Sequence, residues 1–491
     1  MLKSKIVRYL LVTAVFFVFF SIAVIAIIIT RGGQLTDDGL VLESGVIRVQ
    51  TDPDNIAAKY YLDDKEVQPT EKRINGILEG VYKLKIESPG YVTWEKEVKV
   101  TSGIVLDVFA KLYPSNFILA QLSSTNIDRA FFSANGEFVY YVVKDSEFGS
   151  DKGIWKLRLV ASQFLFGTST NTPQKLADLS PQISAAIESG SYDLLPSPDN
   201  NRLLFRDTKS NNNLLINANS FNELPLPDVN ETLSFVPEQL TWFNGSNSII
   251  VKDGPLLLEH NLTNNINTVI KYSKTEELVY SVSNPAVYVY NPATAELLKY
   301  ANQILEPVIT VNLTLPANIT ELHTPLNNSR FLIFKADTLL YYLDLEKSLL
   351  KQIGTGIKFY EFAQDGRSAL FTRDKQLLTY TVKEILATNT VETKLNETSF
   401  TLESQADVVH FVPQSTHILH YANGEKHLIT ATEKDGANPI VILNSTGIKN
   451  ADFSFVSDGS RFVVLLKDEI EATQVPSRAN LYSIDLEGPV K

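Results

Sequence analysis

From Pro114 onward one short phrase keeps returning. It is an aromatic or apolar residue, a small residue such as Ser, a turn containing Asn/Asp-Gly, and then a hydrophobic strand. The clearest copies are Phe132-Ser133-Ala134-Asn135-Gly136, Phe362-Ala363-Gln364-Asp365-Gly366 and Phe455-Val456-Ser457-Asp458-Gly459. Looser copies are Pro196-Ser197-Pro198-Asp199-Asn200, Trp242-Phe243-Asn244-Gly245, Pro325-Leu326-Asn327-Asn328 and Phe411-Val412-Pro413, with a faint one at Ser281-Val282-Ser283-Asn284-Pro285. They fall near residues 133, 197, 243, 283, 325, 363, 412 and 456. Most intervals are about 40–50 residues, the length of one four-stranded propeller blade. Gly, Asn and Asp recur at the turn because they tolerate the positive φ that a tight strand-to-strand link requires.

The phrase resembles the Ser-Pro-Asp-Gly blade signature of TolB-like and WD40-like β-propellers. The resemblance implies an all-β C-terminal domain over 115–491, with seven or eight blades. The last blade ends at Asn480-Leu481-Tyr482-Ser483-Ile484-Asp485-Leu486 and is one strand short, while Phe117 to Leu122 is a free strand at the other end. Pairing the two closes the ring and removes an exposed sheet edge. The 133–197 interval is long, and residues 144–153 and 165–190 read as a loop-like insertion.

The N-terminus sets location. Tyr9 to Thr30 is an unbroken run without charge, preceded by Lys3, Lys5 and Arg8. As a helix it spans about 31 Å, the thickness of a bilayer's hydrocarbon core. A cleaved signal peptide has a shorter apolar stretch and a small-x-small site, whereas bulky Ile residues fill Ile22 to Ile29 here. Residues 1–8 thus read as a cytoplasmic tail and 9–30 as an uncleaved transmembrane signal anchor. Arg31 is soon followed by Asp37, Asp38 and Glu43, so the positive-inside rule places the bulk of the chain outside the cytoplasm. The expected protein is single-pass in the cell membrane, with extracytoplasmic C-terminal domains.

Composition agrees with an exterior protein. The net charge of −12 is spread along the chain, which argues against nucleic acid as a partner. Cysteine is absent, so disulfides, thiolate metal sites and Cys nucleophiles are excluded.

After a polar linker at 31–44, short alternating segments predict a small β-domain over 45–113. Its strands are expected at Val46–Val49, Ala58–Leu62, Tyr82–Ile86, Val98–Val100 and Ile104–Leu112, with turns at Asp63-Asp64-Lys65, Glu79-Gly80 and Pro89-Gly90. These residues resemble the PEGA domain. Gly45 to Val49 and Pro53 to Asp63 match its opening Gly-led strand and Pro-x-x-Ala segment. Leu78-Glu79-Gly80-Val81-Tyr82 and Gly90-Tyr91-Val92-Thr93-Trp94 match its Gly-x-Tyr and Gly-Tyr…Trp steps. Leu78 and Val81 depart from the eponymous tetrapeptide, and Pro69-Thr70 inverts the usual Thr-Pro. The resemblance implies a small β-sandwich of a bacterial surface protein that binds envelope material, and it brings no catalytic residues. Tyr91 and Trp94 are the candidate ligand contacts; as a spaced pair they equally suit core and edge packing.

No other motif stands out. His410, His417, His420 and His427 are bunched among only six histidines, but neither Cys nor a His-Glu-x-x-His helix accompanies them, so they read as structural. No Gly-x-Ser-x-Gly elbow is present, and Asp365 and Asp458 occupy turn positions. Eight Asn-x-Ser/Thr sequons (Asn230, Asn244, Asn261, Asn312, Asn318, Asn327, Asn396, Asn444) matter only in a host that glycosylates. No catalytic residue, cofactor or metal is expected. The leading expectation is a non-enzymatic surface binding or scaffold protein for envelope glycan or a protein partner. The alternatives are a glycan hydrolase or lyase using carboxylates in the propeller cavity, and an assembly factor that docks a protein.

Overall fold

In the computed structural model the described residues are 12–23, 33–35, 41–54, 56–145, 151–160, 163–164, 167–168, 172–219, 229–274, 277–308, 314–316, 318–325, 328, 330–387, 390–413, 415, 417–422, 427–467 and 478–487. The chain divides into two compact units, residues 1–117 with 487–491, and residues 118–486. Residues 12–23 are helical, and Phe16, Phe17, Phe19 and Phe20 on them are exposed. The remainder of the apolar 9–30 run lies outside the described residues. Among the described residues no helix is long and apolar enough to cross a membrane.

The first unit is a two-sheet sandwich. In one sheet Val41–Asp52 lies between Arg73–Leu78, antiparallel, and Val105–Lys111, parallel. The other runs Lys65–Val67, Lys59–Leu62, Gly80–Glu87, Trp94–Val100, all antiparallel. Their inner faces bury Ile47, Val49, Leu84, Ile86, Trp94 and Val98 in one core. Asp63 and Asp64 take positive φ at the predicted turn. The strand Arg73–Leu78 is not among those expected from the sequence; Asn-Gly is ordinarily a turn dipeptide. Gly76 instead sits at φ 74° where the register slips by one residue, Gly45 facing Ile77 and Ile47 facing Ile74. This bulge lets Ile74 and Ile77, an odd number apart, both reach the core.

Among the described residues the second unit contains eight antiparallel sheets of three or four strands in chain order, besides a two-stranded ribbon of Gln163–Phe164 with Gly167–Thr168. The eight sheets begin with the strands Ile127–Phe132, Tyr192–Pro196, Gln239–Phe243, Val279–Ser283, Ile319–His323, Lys358–Phe362, Val408–Phe411 and Ile448–Phe455. Each has four strands except the second, which has three among the described residues. The eighth is completed by Leu119–Gln121, with Leu119 opposite Ile484 and Gln121 opposite Tyr482. The expected closing strand is therefore in place.

The second strand of each blade explains the hydrophobic half of the repeat. Its neighbours on the two faces are different blades, so both faces are buried and the sequence is almost continuously apolar. In Phe138–Val143, Tyr140 and Val142 pack with Leu203 and Phe205 of the second blade, while Val139 and Tyr141 pack with Val463 and Leu465 of the eighth. The same alternation runs through Leu204 with Ile249, Ile250 with Val287, Tyr288 with Leu332, Ile333 with Phe371, and Leu370 with Ile418. Between blades seven and eight the rings of His410 and Tyr421 meet Phe453 at 5.6 and 6.3 Å.

All eight copies of the sequence phrase map to the link between first and second strands of a blade. The long first interval is only partly insertion. Residues 165–190 include the fourth strand of blade one, Gln174–Ala177, and the helix Pro181–Glu188. Ser180 caps that helix by accepting from the Ile183 amide at 3.3 Å, and Ile183, Ala186 and Ile187 fill the seam between blades one and two. The period-2 pattern of four strand residues was too short to register inside a polar stretch.

Candidate functional site

Because strands alternate in direction, the 1–2 and 3–4 turns of every blade share one face of the propeller. The 1–2 turns form a connected circuit there. Asp199 accepts from the Ser246 amide and hydroxyl at 3.0 and 2.7 Å, and the Asn200 amide donates to Asn135 at 3.1 Å. The Asn244 amide donates to Asn284 at 3.1 Å, and the Ser283 hydroxyl to the Pro325 carbonyl at 2.6 Å. Glycine serves this circuit by close approach. A Cβ on Gly136 would lie 2.6 Å from the Phe455 carbonyl oxygen, and one on Gly459 2.5 Å from that of Pro413, each at positive φ.

The turn carboxylates hold backbone. Asp365 accepts from the Arg367 amide and Asp458 from the Ser460 amide and hydroxyl, at 2.8, 2.9 and 2.6 Å. Burial works to raise Asp458, yet the Ser460 hydrogen bonds outweigh it and hold the carboxyl below the usual range. On the inner strands Asp452 accepts from the Ala130 amide at 3.2 Å. Glu361 takes the Phe411 amide and meets His410 Nδ1 at 2.9 Å.

The histidine bunch is dispersed by this geometry. His410 pairs with Glu361, the Ser415 hydroxyl meets His417 Nδ1 at 3.1 Å, and His420 buries Nε2. Among the described residues no group of three His, Asp or Glu side chains is arranged to hold a metal ion. Tyr91 and Trp94 are engaged in the first unit. Trp94 is 2% exposed in the sandwich core, and Tyr91 packs against it while its hydroxyl donates to the Glu487 carbonyl at 2.9 Å. The two rings do not form an exposed platform.

One place on the turn face has polar groups without such duties. Between blades three and four a depression of about 270 Å³ is lined by Phe243, Asn244, Glu259, Pro285, Asn302 and Gln303. Glu259 stands near the end of the third strand of blade three, Leu256–Asn261, and is 8% exposed. The Tyr300 hydroxyl of blade four donates to its Oε2 at 2.6 Å. Burial, and then the bond to Glu259 and its charge, push the Tyr300 phenol upward, so it stays a donor. Among the described residues Oε1 of Glu259 and the side-chain amides of Asn244, Asn302 and Gln303 make no hydrogen bond. Asn302 and Gln303 form the 3–4 turn of blade four with φ of 52° and 63°. The sequence pattern contained no signal for this site, because Glu259 and Gln303 are brought together only by the packing of adjacent blades.

Several solved structures are similar to this chain at a TM-score below 0.5. They include the WD40 domain of SCAP from fission yeast, with 11% identity over 76% of this chain and 98% of that one and a TM-score of 0.42. The Cps50 (Swd1) β-propeller domain of Myceliophteria thermophila shares 11% identity over 75% of this chain and 99% of that chain, with a TM-score of 0.38. PorZ of Porphyromonas gingivalis, described as a bacterial surface component of the type-IX secretion system, shares 11% over 74% of this chain and 45% of its own, with a TM-score of 0.36. No curated protein matches the chain. Residues 44–116 match the family model of the PEGA domain. The sheet order and this match together give the chain its architecture, a PEGA domain followed by a β-propeller.

Proposed function

We propose that this protein is a non-catalytic binding platform of the cell surface, anchored by residues 9–30 and facing outward. The observation that carries the binding part is a division of labour among polar groups on the turn face. Asp199, Asp365 and Asp458 hold neighbouring backbone or hydroxyls, whereas the depression between blades three and four offers unengaged amides around a single carboxylate. Glycoside hydrolysis ordinarily uses two carboxyl groups about 5–10 Å apart, and among the described residues Glu259 is the one carboxylate lining this depression. The membrane part rests on the charge-free run behind Lys3, Lys5 and Arg8. A tether to a surface would let weak contacts suffice through multivalency.

The test is retention of purified envelope fractions by the detergent-solubilised full chain. Binding of glycan or protein without turnover is the expected result; release of shortened glycan would favour the enzyme reading. Protease treatment of intact cells checks orientation, and protection of the propeller would overturn it.

A further inference from the structure

The depression between blades three and four is small and unequal in chemistry, with Asn244, Asn302 and Gln303 exposed and Glu259 buried. At about 270 Å³ it is below the roughly 300–1,000 Å³ of pockets that enclose drug-sized ligands. One ring of a larger molecule fits; an extended peptide does not. Its buried polar group, Glu259, is 8% exposed, with Tyr300 fixing one oxygen and the other open. The free oxygen of this carboxylate is reachable from solvent and can accept a ligand's donor. Around it Asn244, Asn302 and Gln303 present carboxamides, each able to donate and to accept. Pro285 supplies an apolar surface at the side.

These groups suit a polyhydroxylated ring. Vicinal hydroxyls can donate to Glu259 Oε1, exchange hydrogen bonds with the amides, and set C–H faces against Pro285. A hard cation is a poorer fit, because it calls for six or more converging oxygens and this lining has one carboxylate. An anionic sugar is disfavoured by the charge of Glu259. The neighbouring turn chemistry sets the backbone from which the amides project: the Asn244 main-chain N–H donates to Asn284, and Gln303 stands on a two-residue link between strands.

We propose that this depression binds a single neutral pyranose unit of a surface polysaccharide, with Glu259 as the hydroxyl acceptor held by Tyr300. The proposal rests on the binding-platform reading and gives it a ligand class. Ligand-observed NMR on the detergent-solubilised full chain would use glucose, galactose and N-acetylglucosamine as separate probes, with glucuronic acid and Nα-acetyl-lysine amide as controls. At least one neutral sugar is expected to bind in the millimolar range while glucuronic acid does not. Glu259→Gln keeps the shape and is expected to weaken binding by about tenfold or more, because the acceptor becomes a mixed donor. Gln303→Gly, at a position of positive φ, removes one amide with the turn intact and should weaken it less.

Binding of lysine amide without any neutral sugar, or sugar binding unaffected by both variants, would overturn the proposal. So would the absence of binding by all three sugars to wild-type protein whose thermal melt is normal. Envelope retention distinguishes the two levels. If wild-type and Glu259→Gln chains both retain envelope material equally, this site is wrong while the platform stands; if neither wild-type nor variant retains any, the platform fails.

Discussion

The PEGA domain and the propeller bury β-sheet faces by opposite means. The PEGA domain closes two sheets on one core, so each large residue there serves the entire unit. The propeller distributes burial over seams, each owned by two neighbouring blades, and repeats one turn device to lock them. Damage in the first should be global to that domain, and damage in the second should start locally.

The largest expected effect is from Trp94→Ala. Removing a fully buried indole from a single core costs about 3–5 kcal/mol, a large share of what a domain of this size holds. Hydrogen exchange should show residues 45–113 losing protection while the propeller strands keep theirs. Simultaneous loss in both would mean that the two units are not independent.

Next comes Gly136→Ala. Its Cβ would press on the Phe455 carbonyl oxygen at 2.6 Å with φ at 67°, and strain of this kind costs about 1–3 kcal/mol. Exchange should quicken first at the seam between blades eight and one, where Val139 and Tyr141 pack with Val463 and Leu465. Uniform loosening of all seams would contradict the local picture.

A third effect depends on pH. Burial holds the His420 imidazole down to about 4, and its Nε2 finds no partner among the described residues. The unfolded chain, with an ordinary value near 6.5, binds the proton first. Stability contributed by neutral His420 is therefore complete above about pH 6.5 and is lost as pH falls through the window from about 6.5 to 4, by up to about 3 kcal/mol. Urea unfolding at pH 7 and pH 5 should show the propeller weakened at the lower pH. His420→Gln should flatten that part of the profile, and an unchanged slope would assign it elsewhere.

The smallest effect concerns Arg48 and Asp107, which pair across the parallel strands of the PEGA domain with both side chains exposed. Screening by solvent leaves such pairs little net weight. Asp107→Asn should barely move the PEGA melting transition, and added salt should erase what difference there is. A salt-resistant shift would mark the parallel pairing as more dependent on charge than the core suggests.

Much of this architecture was legible because it is carried by local chemistry. A turn rich in Gly, Asn and Asp, followed by a run buried on both faces, recurs at most of the places where a blade begins its second strand, so the phrase and its spacing together located the eight links. The open edge at 479–485 and the unused strand near 119 were visible for the same reason. What escaped were features whose meaning lies in a neighbour. Asn75-Gly76 looks like a turn until the opposite strand shows it to be a bulge, and Gln174–Ala177 is a strand only because Gly153–Arg158 is beside it.

The sequence by itself determined the β-period of both domains, the turn positions, the charge-free N-terminal run and the PEGA motifs, because each depends on residues near one another in the chain. Only tertiary structure decided the blade count of eight, the withdrawal of Trp94 into a core, and the meeting of Glu259 with Tyr300, Asn302 and Gln303. Glu259 belongs to blade three, whereas Tyr300, Asn302 and Gln303 belong to blade four. Their approach is set by how two twisted sheets pack, a relation that no local pattern encodes.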